Sequence, residues 1–330
     1  MYYDRTLSSS FAALLEKGGA LHWLLEFVRK NEDLDFLIGK TIDEKGTITE
    51  WISVYRGLSR LIKIIPNKIG TYKVDADQAY KNLWSSLFGI KGVGQLYFKS
   101  DLDTLLNMVR TNKQFDRYYN NKKEGFYQNI FSRRYGINGT ERDDFVIIDK
   151  EAVIGYLDTP QKNRLLGTLQ NKYKGIQAIL GQNNLKLLGK NVAKKSIGNE
   201  LDFLALDKDG NLLLIEFKDG SNTSGIYMSG LQVGLYYEIF SSYPPTDLQN
   251  SVFSMLDQKK NLGLINPNWT APKSIKQIVP VLIIANYNYK SSAKQTFDIV
   301  MQQVKSQFGF NFLLNLKTYN FEIGPHITNW

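Results

Sequence analysis

Two apolar runs separated by a turn constrain this chain more than any other feature: residues 200–207 and 211–218 flank Lys208-Asp209-Gly210. That pattern is a hairpin signal. With Gly210 in the left-handed position of a three-residue loop, Asp202 stands directly opposite Glu216. Side chains alternate along a strand, so Glu200 and Asp202 share a face with Glu216 and Lys218 of the neighbouring strand. Like charges opposed on a half-buried strand repel, and these interrupt otherwise apolar runs such as Leu212-Leu213-Leu214-Ile215. A divalent cation relieves that repulsion. Hard cations such as Mg²⁺ take carboxylate oxygens together with waters and phosphate oxygens, a combination suited to phosphodiester hydrolysis. In that reading Asp202 and Glu216 hold the metal, and Lys218 orients the attacking water or stabilises transition-state charge.

Composition removes the competing chemistries. Among 330 residues there is no cysteine, which excludes disulfides, thiolate nucleophiles, Fe–S clusters and Cys-ligated zinc. The two histidines, His22 and His326, lie far apart in the chain, which argues against a Ser-His-Asp triad or a multi-His metal centre. Lys and Arg number 41 against 32 Asp and Glu, a formal charge of +9 that favours an anionic partner. There is no apolar run long enough to span a bilayer and no export signal at the N-terminus, so a cytoplasmic protein without a membrane partner is expected.

The length suits two domains. Residues 1–157 read as an α+β domain: an amphipathic helical stretch over 7–31 broken at Gly18-Gly19, a β-rich stretch over 47–65, helices over 74–88 and 101–109, and two short strands over 145–148 and 152–156. Residues 158–330 read as an α/β domain with a central mixed sheet flanked by helices. Its expected order is helix 161–180, strands 184–190, 200–207 and 211–218, helices 225–241 and 250–262, strand 277–287, helix 291–308 and a β segment over 310–323.

Asp202, then thirteen residues, then Glu216-Phe217-Lys218 resembles the D…(D/E)-x-K motif of the PD-(D/E)XK, or restriction-endonuclease-like, superfamily. The expected helix, three strands, helix order resembles its core, over about residues 160–290. Leu231-Gln232-Val233-Gly234-Leu235-Tyr236 resembles the Q-x-x-x-Y element of RecB-like members, and i,i+4 spacing puts Gln232 and Tyr236 on one helix face. The resemblance implies a metal-dependent nuclease with Mg²⁺ as cofactor and Mn²⁺ as a substitute. Asp202, Glu216 and the Phe217 carbonyl are the implied metal ligands, and Lys218 is the implied catalytic lysine, with Gln232 and Tyr236 in supporting catalytic roles. Two departures stand out. Leu201 replaces the proline before the first acid, and residues 161–180 lack the acidic residue many members carry there, a place Glu200 is left to fill.

Basic residues supply a candidate nucleic-acid surface. Between 161 and 200 eight of them, Lys162, Arg164, Lys172, Lys174, Lys186, Lys190, Lys194 and Lys195, stand against one acid, Glu200, immediately before the proposed site. A second stretch, residues 110–135, includes Arg133 and Arg134 and interleaves charge with Phe115, Tyr118, Tyr119, Phe126, Tyr127, Phe131 and Tyr135, which suits stacking on a single strand. Core aromatics with surface lysines explain that second stretch equally well. Gly89-Ile90-Lys91-Gly92-Val93-Gly94 lacks the ending of a phosphate loop and reads as a plain turn. DNA is expected ahead of RNA as substrate, in restriction, repair or defence. The rival readings are an inactive nuclease-fold scaffold and an RNA-directed nuclease. Homodimerisation and a protein partner on the N-terminal domain stay open.

Overall fold

Alternating apolar residues build the first of two sheets. β1 (Asp35–Ile42), β2 (Ile48–Arg56), β3 (Ser59–Pro66), β4 (Thr71–Asp75) and β5 (Leu96–Phe98) pair antiparallel in chain order. The register sets Ile38 against Ile52 and Ile52 against Ile64, so every second residue lies on one face. Phe36, Ile38, Ile52, Val54, Ile62, Ile64 and Val74 are buried there in one cluster with Leu21, Leu24, Leu25 and Val28. The last three lie on the apolar stripe of the helix His22–Lys30, whose final turn carries Arg29 and Lys30, favourable to its dipole. Each such side chain contributes about 1.5–3 kcal/mol through burial. Helices Lys99–Thr111 and Glu124–Arg134 follow.

The structure, a computed structural model, describes residues 1–330 except 44, 67–70, 78–95, 112–118, 120–122, 189–196, 199, 311–312, 314, 323–326 and 330. The glycine-rich turn at 89–94 and most of the helix expected over 74–88 lie outside the described residues; Val74 itself belongs to β4.

The second sheet is mixed, with the order β11-β10-β9-β8-β7-β6. Its strands are β6 (Phe145–Ala152), β7 (Leu201–Asp207), β8 (Asn211–Asp219), β9 (Gln277–Ala285), β10 (Lys317–Phe321) and β11 (Ile327–Asn329). β6, β7 and β8 run antiparallel in turn, whereas β8–β9 and β9–β10 are parallel. A parallel neighbour requires a crossover, and after β8 the helix Thr223–Ser241 starts it, capped by the Asn222 side chain, which accepts from Gly225 N. This helix packs on β8 and β9, and β8 is buried along its whole length. Helices Thr168–Asn183, Pro245–Asn261 and Ala293–Phe308 complete the order.

The compact units divide differently from the expected boundary at 157/158. One comprises Met1–Tyr3, Arg142–Val252 and Thr270–Trp330; the other comprises Asp4–Glu141 and Phe253–Trp269. The reason is strand pairing: the strand expected over 145–148 runs on to Ala152 as β6, which pairs with β7 from Phe145↔Asp207 to Ala152↔Leu201 across a bulge, whereas the strand expected over 152–156 is reduced beyond Ala152 to a single bridge between Gly155 and Tyr2. The strand expected over 184–190 is instead a short helix, Leu185–Leu188, as far as it is described. The third strand beside the hairpin therefore precedes the long helix rather than following it.

Candidate active site

The hairpin forms in the expected register, from Leu206↔Leu212 to Phe203↔Ile215, with Gly210 at φ +89° in the turn. One step further, the Asp202 side chain reaches across to the neighbouring strand: Oδ2 accepts from Phe217 N at 2.7 Å. This bond ties the Asp202 carboxylate to β8 beside Glu216.

Lys218 closes the cluster. Its Nζ donates to Glu216 Oε1 and to the Phe217 carbonyl at 3.2 Å, and lies 3.8 Å from Asp202 Oδ2. Glu216 is 2% exposed and Lys218 7%, while the Asp202 side chain keeps 19%. Both carboxylates and the ammonium lie in a largely dehydrated place, where electrostatic interactions are strengthened. The donors are hard oxygens from two carboxylates and one carbonyl. That set fits Mg²⁺, which binds through one or two carboxylates and completes its shell with water or phosphate oxygens.

Glu200 does not complete the set. It is exposed, and among the described residues no group of three or more His, Asp and Glu is placed to hold a metal. What Glu200 contributes is its backbone carbonyl, which accepts the Tyr236 hydroxyl at 2.6 Å. Tyr236 is 2% exposed; burial, with the Glu216 and Asp202 charges, pushes its phenol far above the ordinary range, so it acts as a neutral donor. Gly198, at φ +60°, explains the close approach here: a Cβ would lie 2.8 Å from the Tyr236 hydroxyl and 3.2 Å from Gln232 Nε2. Gln232 and Tyr236 thus share a face as expected, and that face is turned to Gly198, with the Tyr236 hydroxyl also reaching the Glu200 carbonyl just before β7. The contact made by the Tyr236 hydroxyl positions the entry to that strand.

The expected basic surface divides. Lys186, Lys162, Arg164 and Lys174 are exposed, as is Lys172, which pairs with Glu238 at 2.8 Å. Lys190, Lys194 and Lys195 lie outside the described residues. Arg133, expected to contact nucleic acid, is corrected: it is 4% exposed and its guanidinium donates to the carbonyls of Val28, Leu34 and Arg29. Those bonds satisfy acceptors where the helix His22–Lys30 ends. Arg134 is half-buried over the Tyr135 ring at 5.1 Å. Tyr127, Phe131 and Tyr135 are buried and serve the core, not a stacking platform; Phe115 and Tyr118 lie outside the described residues.

The sequence reading missed a polar extension of the site's face. Lys218 is opposed to Ile284 and Ile284 to Asn320, so Asn320 lies on the Lys218 face two strands away. It is 1% exposed and donates to the Tyr289 hydroxyl at 2.9 Å and Glu322 Oε1 at 3.1 Å. A polar residue within the β segment expected over 310–323 was the available signal. Compared with protein-family models, curated proteins and solved structures, the chain finds no match.

Proposed function

We propose that this chain is a metal-dependent nuclease of the PD-(D/E)XK kind that hydrolyses phosphodiester bonds, with DNA as the expected substrate. One observation carries the reading: Asp202, Glu216 and the Phe217 carbonyl turn their oxygens toward one cation, the Lys218 ammonium. An inert sheet face gains little from a buried Glu216–Lys218 pair with Asp202 beside it, because a buried ion pair is often no more stabilising than apolar residues of similar volume. The exposed Lys162, Arg164, Lys174 and Lys186 add positive charge to the same unit, as a polyanionic substrate requires.

Asp202, Glu216 and the Phe217 carbonyl would hold Mg²⁺, which when bound screens the phosphate charge and acidifies water. Asp202, tied to Phe217 N, is preorganised for that task. The Lys218 ammonium donates a hydrogen bond to the incoming water or to a phosphate oxygen as charge develops there. Water oxygen bonds to phosphorus and gives up a proton to solvent water, the P–O3′ bond breaks and the departing 3′ oxygen takes a proton from solvent water, leaving 5′-phosphate and 3′-hydroxyl ends. The Tyr236 hydroxyl, bonded to the Glu200 carbonyl, holds the entry to β7 and so keeps Asp202 in place.

The test is cleavage of plasmid, linear duplex, single-stranded DNA and RNA with Mg²⁺, Mn²⁺ or EDTA. Cutting should require metal and fall about 10²–10³-fold or more in both Asp202→Ala and Lys218→Ala. Metal-independent cutting, or full activity in Asp202→Ala, would overturn the reading. DNA binding without cutting on any substrate would instead indicate an inactive scaffold.

A further inference from the structure

The oxygens assigned to a metal already surround a cation. Lys218 Nζ touches the same three donors: Glu216 Oε1, the Phe217 carbonyl at 3.2 Å and Asp202 Oδ2 at 3.8 Å. A divalent ion drawing on the same oxygens would meet the like charge of the ammonium at close range. The oxygens are tethered, since Glu216 and Phe217 belong to a strand buried along its length and Asp202 is bonded to Phe217 N. The ammonium instead ends a flexible four-carbon stem. The charge able to move is therefore the lysine.

We propose that Lys218 serves as the site's own counter-cation before metal arrives, and that a divalent ion competes with its ammonium for Asp202, Glu216 and the Phe217 carbonyl. Metal entry displaces Lys218 from Glu216 and delivers it toward the scissile phosphate, so the lysine reaches its working position only in the loaded site. Before loading, Lys218 neutralises one of two neighbouring carboxylates and keeps buried Glu216 from facing Asp202 as a bare like charge. The consequence is an affinity for metal held down by the enzyme's own lysine. This deepens the metal-dependent reading above and rests on it.

Mn²⁺ binding to the full chain, followed by electron paramagnetic resonance without substrate, separates the two. Lys218→Met and Lys218→Gln should each bind Mn²⁺ about tenfold or more tightly than the native chain, the scale on which a like charge a few ångströms away disfavours a charged state. Asp202→Asn should weaken binding in either background. Equal affinity in the native chain and both lysine variants would overturn the competition while leaving the metal site standing. Absence of Mn²⁺ binding in all of them would overturn the metal-dependent reading itself. Should neither variant fold, reductive methylation of the native chain read by mass spectrometry decides: Lys218 should be protected without Mn²⁺ and become reactive on saturation. Unchanged protection at saturating Mn²⁺ would refute the displacement.

Discussion

Arg133 in the five-stranded unit and Lys218 in the six-stranded unit are both buried cations, yet they are held in different ways. The guanidinium of Arg133 hydrogen-bonds to neutral backbone carbonyls of Val28, Leu34 and Arg29, while the charges of Asp35, Glu32 and Asp33 also act on it. The ammonium of Lys218 meets Glu216 and one backbone carbonyl, with Asp202 within ion-pair distance. A guanidinium with its fixed fork is well suited to tying several carbonyls together, whereas a compact ammonium on a flexible stem can be exchanged for another small cation. Burial alone does not mark a functional charge; the nature of its partners does. Carbonyls at a helix end have no other task, but two carboxylates sharing one cation can accept a second kind of ion.

The comparison can be broken by exchanging each cation for methionine. Arg133→Met should lose about 3 kcal/mol or more in urea unfolding, since it removes hydrogen bonds to three carbonyls, and Mn²⁺ should not restore it. Lys218→Met should lose about 3–5 kcal/mol in metal-free buffer by breaking the buried pair with Glu216, and Mn²⁺ should recover most of that loss, because an ion that binds the folded state alone stabilises it. Equal recovery of both variants, or of neither, would erase the distinction. A smaller effect is expected at Tyr236→Phe, which removes one buried hydrogen bond to the Glu200 carbonyl. Its stability should fall by about 1 kcal/mol, and Mn²⁺ affinity should weaken with it as the approach to Asp202 loosens. Smallest of all, Lys172→Ala removes an ion pair to Glu238 whose lysine is 44% exposed; thermal melts should register at most about 0.5 kcal/mol.

The hairpin was legible in the sequence because its information is local. Lys208-Asp209-Gly210 sets the turn, alternation sets the faces, and the register from Leu206↔Leu212 to Phe203↔Ile215 follows. Less legible was the helix Glu124–Arg134, where polar Gln128, Asn129 and Arg133 are as buried as Tyr127 and Phe131. With apolar and polar residues not segregated onto opposite faces, periodicity cannot say which side turns inward, and a run of charges and rings looks like a binding surface. The third strand beside the hairpin was misplaced for a related reason: β6 is separated from β7 by about fifty residues, and pairing over that distance leaves no mark in the local pattern.

What the sequence determined by itself was the hairpin and the residues it opposes, together with the chemistries that a chain without cysteine and with two histidines forgoes. Tertiary structure alone decided that Arg133 ties down a helix end, that β6 completes the sheet beside β7, that Asn320 reaches the Lys218 face through two parallel pairings, and that Lys218 turns back onto Glu216 and the Phe217 carbonyl. The division has a physical cause. Turn geometry and strand alternation act over a few residues, whereas burial, parallel pairing and the choice of a charge's partner depend on surfaces brought together from distant parts of the chain.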